Sequence, residues 1–320
     1  MVQQVAFSKD PVDVSVVIPT YNNPSRLLEC LAGLAAQEPV GARVEVVVVD
    51  DGSTDDTAEH VMAAQAGFPY PLRCIRKPNG GVSSARNAGI REARGATIAF
   101  LDHDCIPHPD WLRQVVRALA EHPEASGVGG VIEPTGTESR ISRYIDARRL
   151  LSEPTVEDGR VTFVITANSA FRKRALEEIG GFDERFPLGG EDVDLSRRLL
   201  EAGKTLARED AMVVRHHHRT RLRPFVKTFY WYGYGSGMAR FKRRGEGSGV
   251  EVLRRRAWSV AYLAFAPVYA AGHLARGIGV ADAMTYGALD ALRKAAYALG
   301  KARGLAAGMQ GGLPARGWAR

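Results

Sequence analysis

This 320-residue chain has few cysteines, no CxxC pair and no long apolar run. Its three cysteines, Cys30, Cys74 and Cys105, are odd in number and form no CxxC pair. A disulfide framework is therefore excluded, and a reducing, cytoplasmic setting is expected. The opening stretch, MVQQVAFSKDPVD, lacks the basic-then-apolar order of a secretory signal. No run reaches 18 wholly apolar residues; the nearest, AWSVAYLAFAPVYAAGHLA at 257–275, is broken by Pro267, Gly272 and His273. No GxGxxG follows the first apolar segment and no GxxxxGK[ST] occurs, so dinucleotide and P-loop readings lose their main support. No fixed-period repeat is present. With 45% hydrophobic and 25% charged residues, the chain is neither collagenous nor disordered.

What is present is an uneven charge and a clear alternation of elements. The formal net charge is +7, yet residues 215–320 hold 19 Lys+Arg and four Asp+Glu, whereas 1–214 are net acidic. That split suggests a catalytic or metal-holding front joined to an anion-seeking tail. VSVVI at 14–18, VEVVVV at 44–49, a weaker run at 72–76 and TIAFL at 97–101 read as buried strands. Helical patterns at 24–37, 54–66 and 82–94 separate them, with Ser53 or Thr54 as candidate cap of the second. This alternation predicts a doubly wound α/β sheet, whose ligands lie beyond the carboxyl ends of the strands. Further on, strands are predicted at 127–132 and 161–167 and helices at 109–121, 140–151, 173–179 and 192–202. From Arg221 the pattern is mostly helical.

The strand ends hold polar residues. Pro19-Thr20-Tyr21-Asn22-Asn23 follows the first, offering a ring to stack on a base, or an ordinary strand-to-helix turn opened by Pro24. Asp50-Asp51-Gly52-Ser53 follows the second and suits a base imide or ribose hydroxyls, or a capping turn. Asp102-His103-Asp104 follows the fourth, and two carboxylates one residue apart can share a hard divalent cation. Asn79-Gly80-Gly81 and Arg86, before and within the third helix, suit an anionic ligand; a surface ion pair is the plainer reading of Arg86.

As an ordered set, VSVVIPTYNN, VVVVDDGSTDDT, NGGVSSARNAGIREARG, FLDHDCIPHPDWL and IGGFDERFPLGGEDVDLSRRLLEAG resemble the family 2 glycosyltransferases over residues 14 to about 203. The resemblance implies a GT-A fold, a mostly parallel Rossmann-like sheet flanked by helices, and inverting, metal-assisted transfer from a nucleoside-diphosphate sugar. It implies that Pro19, Thr20, Tyr21, Asp51, Arg86 and Asp102 line the nucleotide-sugar site. Asp104 becomes the direct ligand of Mn²⁺ or Mg²⁺. Asp192 of the Glu191-Asp192 pair becomes the catalytic base with Glu191 in support, and Asp194 a structural acid. Asn168 and Ser169 would border the acceptor. Within His216-His217-His218, alternation along a strand lets at most His216 and His218 share a side, and the family's habit of supplying a C-terminal histidine selects His216 for the metal.

The expected organisation is an N-terminal tail at 1–13 and a catalytic domain at 14–218, with a nucleotide-sugar half to about 105 and an acceptor half after it. A basic helical extension at 219–303 and a flexible tail at 304–320 follow. Arg and Lys interleaved with Tyr and Trp at 219–256 suit a nucleic acid or an anionic membrane face. The family context favours peripheral membrane contact through 219–276, with no nucleic acid expected, and a glycan or lipid-linked glycan acceptor of envelope or exopolysaccharide assembly. The other readings are a metal-dependent nucleotidyltransferase, which would release pyrophosphate, and a non-catalytic membrane scaffold.

Overall fold

The computed structural model describes residues 12–136, 139–150, 153–186, 188–244 and 249–310. The expected tails at 1–11 and 311–320 lie outside the described residues. Two compact units form. The first runs through Glu133 and adds Leu151–Asp183 and Leu195–His216; the second comprises Pro134–Leu150, Glu184–Asp194 and the chain from His217. Two segments that the sequence assigned to the catalytic domain thus cluster with the C-terminal helices.

The first unit is built on an eight-stranded sheet of order β3-β2-β1-β4-β9-β6-β10-β5. Strands β1 (Val14–Thr20), β2 (Val44–Asp50), β3 (Leu72–Arg76) and β4 (Thr97–Leu101) pair in parallel. Helices α1 (Pro24–Ala35), α2 (Thr57–Gln65) and α3 (Val82–Glu92) connect them. Beyond β4 the direction changes. β9 (Asn168–Arg172) runs antiparallel to β4 and to β6 (Ala125–Thr135), and β10 (Thr205–His217) runs antiparallel to β5 (Cys105–Pro107). The near-continuous apolar runs have a direct cause. Val16, Ile18, Val46 and Val48 pack on one face with α1 and with Trp111 and Leu112 of α4 (Trp111–Glu121). Val17, Val47 and Val49 pack on the other with α3 and with Leu195 and Leu199 of α7 (Glu191–Glu201). With both faces covered, both sides of these strands are mostly apolar, and the buried Ser15 and Glu45 satisfy each other, the Ser15 hydroxyl donating to Glu45 at 2.7 Å.

Two local expectations are corrected. The single strand expected at 161–167 is instead a small ribbon of β7 (Thr155–Glu157) and β8 (Arg160–Phe163), followed after a turn by β9; α5 (Arg140–Ala147) precedes the ribbon and α6 (Lys173–Glu178) follows β9. Neither Ser53 nor Thr54 caps α2; Asp56 stands at that position, without a side-chain capping bond.

The second unit centres on α8 (Leu222–Arg244), α9 (Gly249–Ala264), α10 (Ala266–Leu274) and α11 (Val280–Met309). Helix α11 continues through 304–309, where a flexible tail was expected. Glycine serves close packing here: a Cβ on Gly300 or Gly304 would meet the carbonyls of Tyr230 or Tyr234, so α8 and α11 touch backbone to backbone. The aromatic residues of α8 that suggested a surface role, Phe225, Phe229, Trp231 and Tyr234, are buried inside this unit. No described helix is long and apolar enough to cross a membrane.

Candidate functional site

In the first unit, β1 and β2 end side by side, with Thr20 opposite Asp50 and the Asp51 amide donating to the Thr20 carbonyl at 2.9 Å. The Asp51 carboxylate is buried and already engaged. It accepts from Lys77 Nζ at 2.6 Å and from the amides of Gly80 and Gly81 at 3.0 and 2.8 Å. It thereby draws the 77–81 loop, which opens α3, against the end of β2. Gly52 follows at φ +80, and a Cβ there would press on the backbone of Asn79, so this turn requires glycine. Asp50 accepts from the Ser53 amide at 2.8 Å, and the Ser53 hydroxyl accepts from the Asn22 amide at 2.9 Å. The two strand-end turns are therefore one bonded unit. Thr20 Oγ1 is buried there with no hydrogen-bond partner among the described residues. Such an orphan costs roughly 1–3 kcal/mol, which a ligand's polar atom would offset.

Arg86 lies almost wholly inside the protein and donates from Nη2 to Asp102 Oδ1 at 2.8 Å, with its guanidinium 5.5 Å from the Phe182 ring centre. The expectation of a surface ion pair is thus wrong: this one is enclosed on the arginine side. Asn87 holds Phe182 in place through both backbone groups, donating to its carbonyl at 2.9 Å and accepting from its amide at 2.8 Å.

His103, for which no role was expected, ties the end of the fourth strand to the first. Its Nδ1 is 3.1 Å from the Pro19 carbonyl and its Nε2 3.2 Å from Asn23 Nδ2. The next residue, Asp104, is buried, and its Oδ1 lies 3.4 Å from His216 Nε2. Strand register explains the meeting: β5 pairs with β10 so that Cys105 stands opposite His216. Ligand atoms of Asp104, Cys105 and His216 all fall within 4.8 Å of one another. Burial, reinforced by Asp104 and Asp102, pushes the Cys105 thiol well above its ordinary range, and Cys30, whose Sγ is 3.8 Å from the Asp102 carbonyl, is raised in the same way. Asp104 and His216 supply a carboxylate oxygen and an imidazole nitrogen, a donor pair suited to a divalent cation.

Asn168 and Ser169 are placed differently from expectation. Both are buried in β9. The Asn168 amide donates to the carbonyls of Val131 and Met212, each at 2.8 Å, and accepts from Trp111 Nε1 at 2.8 Å. Its polar atoms pin β6, β10 and α4 together, which is a structural task and leaves no atom for an acceptor.

In the second unit, Gly189 and Gly190, both at positive φ, press against α8: a Cβ on Gly190 would stand 2.8 Å from the Gly235 Cα. The turn leads into α7. Glu191 is buried and Asp192 half-buried, with Asp192 Oδ1 accepting from the Val193 amide at 2.8 Å. Asp194 is fully buried and accepts from Lys242 Nζ at 3.0 Å. Sequence reasoning missed Lys242, because a pairing across 48 residues leaves no local signal.

Residues 15–180 match the family model described as Glycosyl transferase family 2. The chain is 32% identical to the pre-mycofactocin glycosyltransferase of Mycobacterium tuberculosis over 230 residues, covering 69% of this chain and 46% of that protein. It is 32% identical to glycosyltransferase AglE of Haloferax volcanii, covering 60% and 63%, and 31% identical to the validoxylamine A glucosyltransferase of Streptomyces hygroscopicus subsp. limoneus, covering 65% and 52%. The chain thus spans roughly half to three-fifths of the length of these relatives. Among solved structures it resembles a mannosyltransferase from Pyrobaculum calidifontis in complex with GDP-Man and Mn²⁺, with TM-score 0.58 at 23% identity over 75% of this chain and 66% of that one. It also resembles S. aureus TarS 1–349 in complex with UDP-GlcNAc, with TM-score 0.53 at 20% identity over 70% and 66%. The shared architecture is the GT-A fold.

Proposed function

The chain belongs to glycosyl transferase family 2, and on that footing we propose that it moves a sugar from a nucleoside-diphosphate sugar to an acceptor hydroxyl by single displacement with inversion. The meeting of Asp104 and His216 at 3.4 Å, three residues past the end of the apolar strand β4, carries this reading. Pro19, Thr20, Tyr21, Asp51, Arg86 and Asp102 are assigned to the donor. Asp51 and the loop it organises shape the base side, and the orphaned Thr20 hydroxyl offers a hydrogen bond. Arg86, fixed by Asp102 and Phe182, supplies positive charge without mobility, which suits a diphosphate. A divalent cation, Mn²⁺ or Mg²⁺, held by Asp104 and His216 would neutralise negative charge on the departing diphosphate.

Asp192 is assigned as the base that takes the acceptor's proton, with Glu191 beside it at the start of α7. Asp194 is unsuited, being fully buried against Lys242. No nucleophilic side chain is needed in a single displacement, which agrees with three cysteines whose thiols burial holds protonated. We assign the acceptor to a glycan or lipid-linked glycan of envelope or exopolysaccharide assembly, met at the inner face of a membrane by part of 219–276.

A thermal-shift panel of nucleoside-diphosphate sugars, each with and without Mn²⁺ or Mg²⁺, tests the reading, since a ligand of the native state raises apparent stability. Stabilisation by at least one donor, larger with metal, is expected. No shift with any donor would count against it.

A further inference from the structure

Helices α9 and α10 each present an exposed apolar stripe on their outward side, flanked on α9 by Arg254 and Arg256. On α9, Val250, Leu253, Ala257, Val260 and Ala264 recur every three or four residues and are all exposed, Val250 and Val260 at 75% and 70%. This spacing places them on one face. The opposite face, with Val252 and Ser259, is buried, Val252 against Ala302 and Leu305 of α11. Helix α10 repeats the pattern: Val268, Ala271 and Leu274 are exposed, whereas Ala270 and His273 are buried. His273 donates to, or shares a proton with, Asp290 of α11 at 2.9 Å. Trp258, Leu263 and Phe265 extend the apolar surface between the two stripes, each 41–48% exposed. Both helices are therefore anchored to α11 on one side and show hydrocarbon to the outside on the other. A solvated helix face is ordinarily polar, and a contiguous apolar patch marks an interaction surface.

Charge selects the occupant. From Val252 to Gly279 there is no acidic residue, and there are four arginines: Arg254, Arg255, Arg256 and Arg276. Arg255 pairs with Glu251 at 2.8 Å. Arg254 and Arg256 lie exposed towards one end of the patch and Arg276 at the other. A second copy laid on this face would bring arginine against arginine with no carboxylate between them. An anionic bilayer supplies what both parts of the surface lack, acyl chains for the stripes and phosphate headgroups for the arginines. Neither helix is long enough to span, so the pair would lie in the plane of the interface.

We infer that α9 and α10 seat this protein on an anionic lipid surface, with Val260, Leu263 and Val268 among the acyl chains, Trp258 and Phe265 at headgroup depth, and Arg254, Arg256 and Arg276 on lipid phosphates. Membrane contact is thereby narrowed from 219–276 to 250–276, because Phe225, Phe229, Trp231 and Tyr234 of α8 are buried. It is independent of sugar transfer and is tested without donor or acceptor.

The test is co-sedimentation of the full chain with phosphatidylcholine vesicles, with and without phosphatidylglycerol, at low and high salt. Binding to the anionic vesicles is expected, at least about tenfold tighter than to neutral ones and weakened by salt. Arg254→Gln with Arg256→Gln should reduce it about 30-fold, from roughly 1 kcal/mol per arginine. Val260→Asp with Val268→Asp should abolish it. Because all four positions are exposed, circular dichroism and the unfolding midpoint should stay as in the unmodified chain, so lost binding is not lost folding. Equal affinity for both vesicle types, no binding at low salt, or a concentration-dependent dimer broken by the aspartate pair would each overturn the inference. A nucleotide-sugar thermal shift on the same samples reports the functional reading separately.

Discussion

Lys242 Nζ stands 3.0 Å from Asp194 Oδ1, and it also lies 6.0 Å from the centre of the Phe186 ring. Asp194 is two residues from the assigned base, so a lysine of α8 fixes the start of α7. Breaking a buried pair by removing one partner costs several kcal/mol, because the remaining charge stays desolvated. Lys242→Met should therefore lower stability by about 3 kcal/mol, with Lys242→Arg recovering much of it. Chemical denaturation of the three proteins checks this, and an unchanged midpoint in Lys242→Met would show that the pair is dispensable.

Metal binding should follow Asp104 and His216. Asp104→Ala is expected to weaken Mn²⁺ by more than the roughly 10–100-fold that loss of an outer partner causes, and His216→Ala by about that amount. His218→Ala should change little. Isothermal titration with Mn²⁺ alone separates these cases, and equal loss from His216→Ala and His218→Ala would remove the register argument.

The Asp51 carboxylate, assigned above to the donor, also holds the 77–81 loop. Asp51→Asn should weaken donor binding on the order of tenfold or more, since charge-assisted hydrogen bonds contribute about 1.5–3 kcal/mol each. Lys77→Ala should give a smaller loss and increase hydrogen exchange at Gly80 and Gly81. Unaltered exchange there would mean that the loop is held by other contacts.

Acid should loosen the second unit through Asp290. Burial alone would raise this carboxyl, but hydrogen bonds from Tyr144 and His273, with Arg148 and Arg293 alongside, hold it below the ordinary range. A lowered folded value means that the stabilisation is fully present above the unfolded carboxyl's value, about 3.9, and is lost as pH falls through the folded one. Thermal unfolding between neutral pH and pH 3 should therefore drop more steeply for the unmodified chain than for Asp290→Asn, which starts lower. Tyr144, pushed up to about 12 mainly by burial, stays neutral throughout that range. Parallel curves would contradict the role of Asp290.

The legible part of the fold is the part written in local pattern. β1, β2 and β4 carry apolar residues on both faces because both are covered, so their runs are unmistakable. The carboxylates after them follow from topology, which puts strand ends beside one another. Asp104 and His216 were both expected from the sequence, but their meeting depends on the β5–β10 register that sets Cys105 opposite His216, and nothing local shows that register. Asn168 was misread because a polar residue in a strand gives no sign of whether it faces a ligand or three neighbouring elements. The grouping of 184–194 with α8 was hidden for the same reason as Lys242, since its contacts lie some 48 residues away in sequence.

The central claim is sugar transfer with Asp192 as base, and its most direct test is product analysis of a reaction containing a stabilising nucleoside-diphosphate sugar, metal and a glycan or lipid-linked acceptor. The unmodified chain should release nucleoside diphosphate together with glycosylated acceptor. Asp192→Asn should bind the donor normally but turn over roughly 10²–10⁴-fold more slowly. Release of pyrophosphate, or undiminished turnover by Asp192→Asn, would contradict the account.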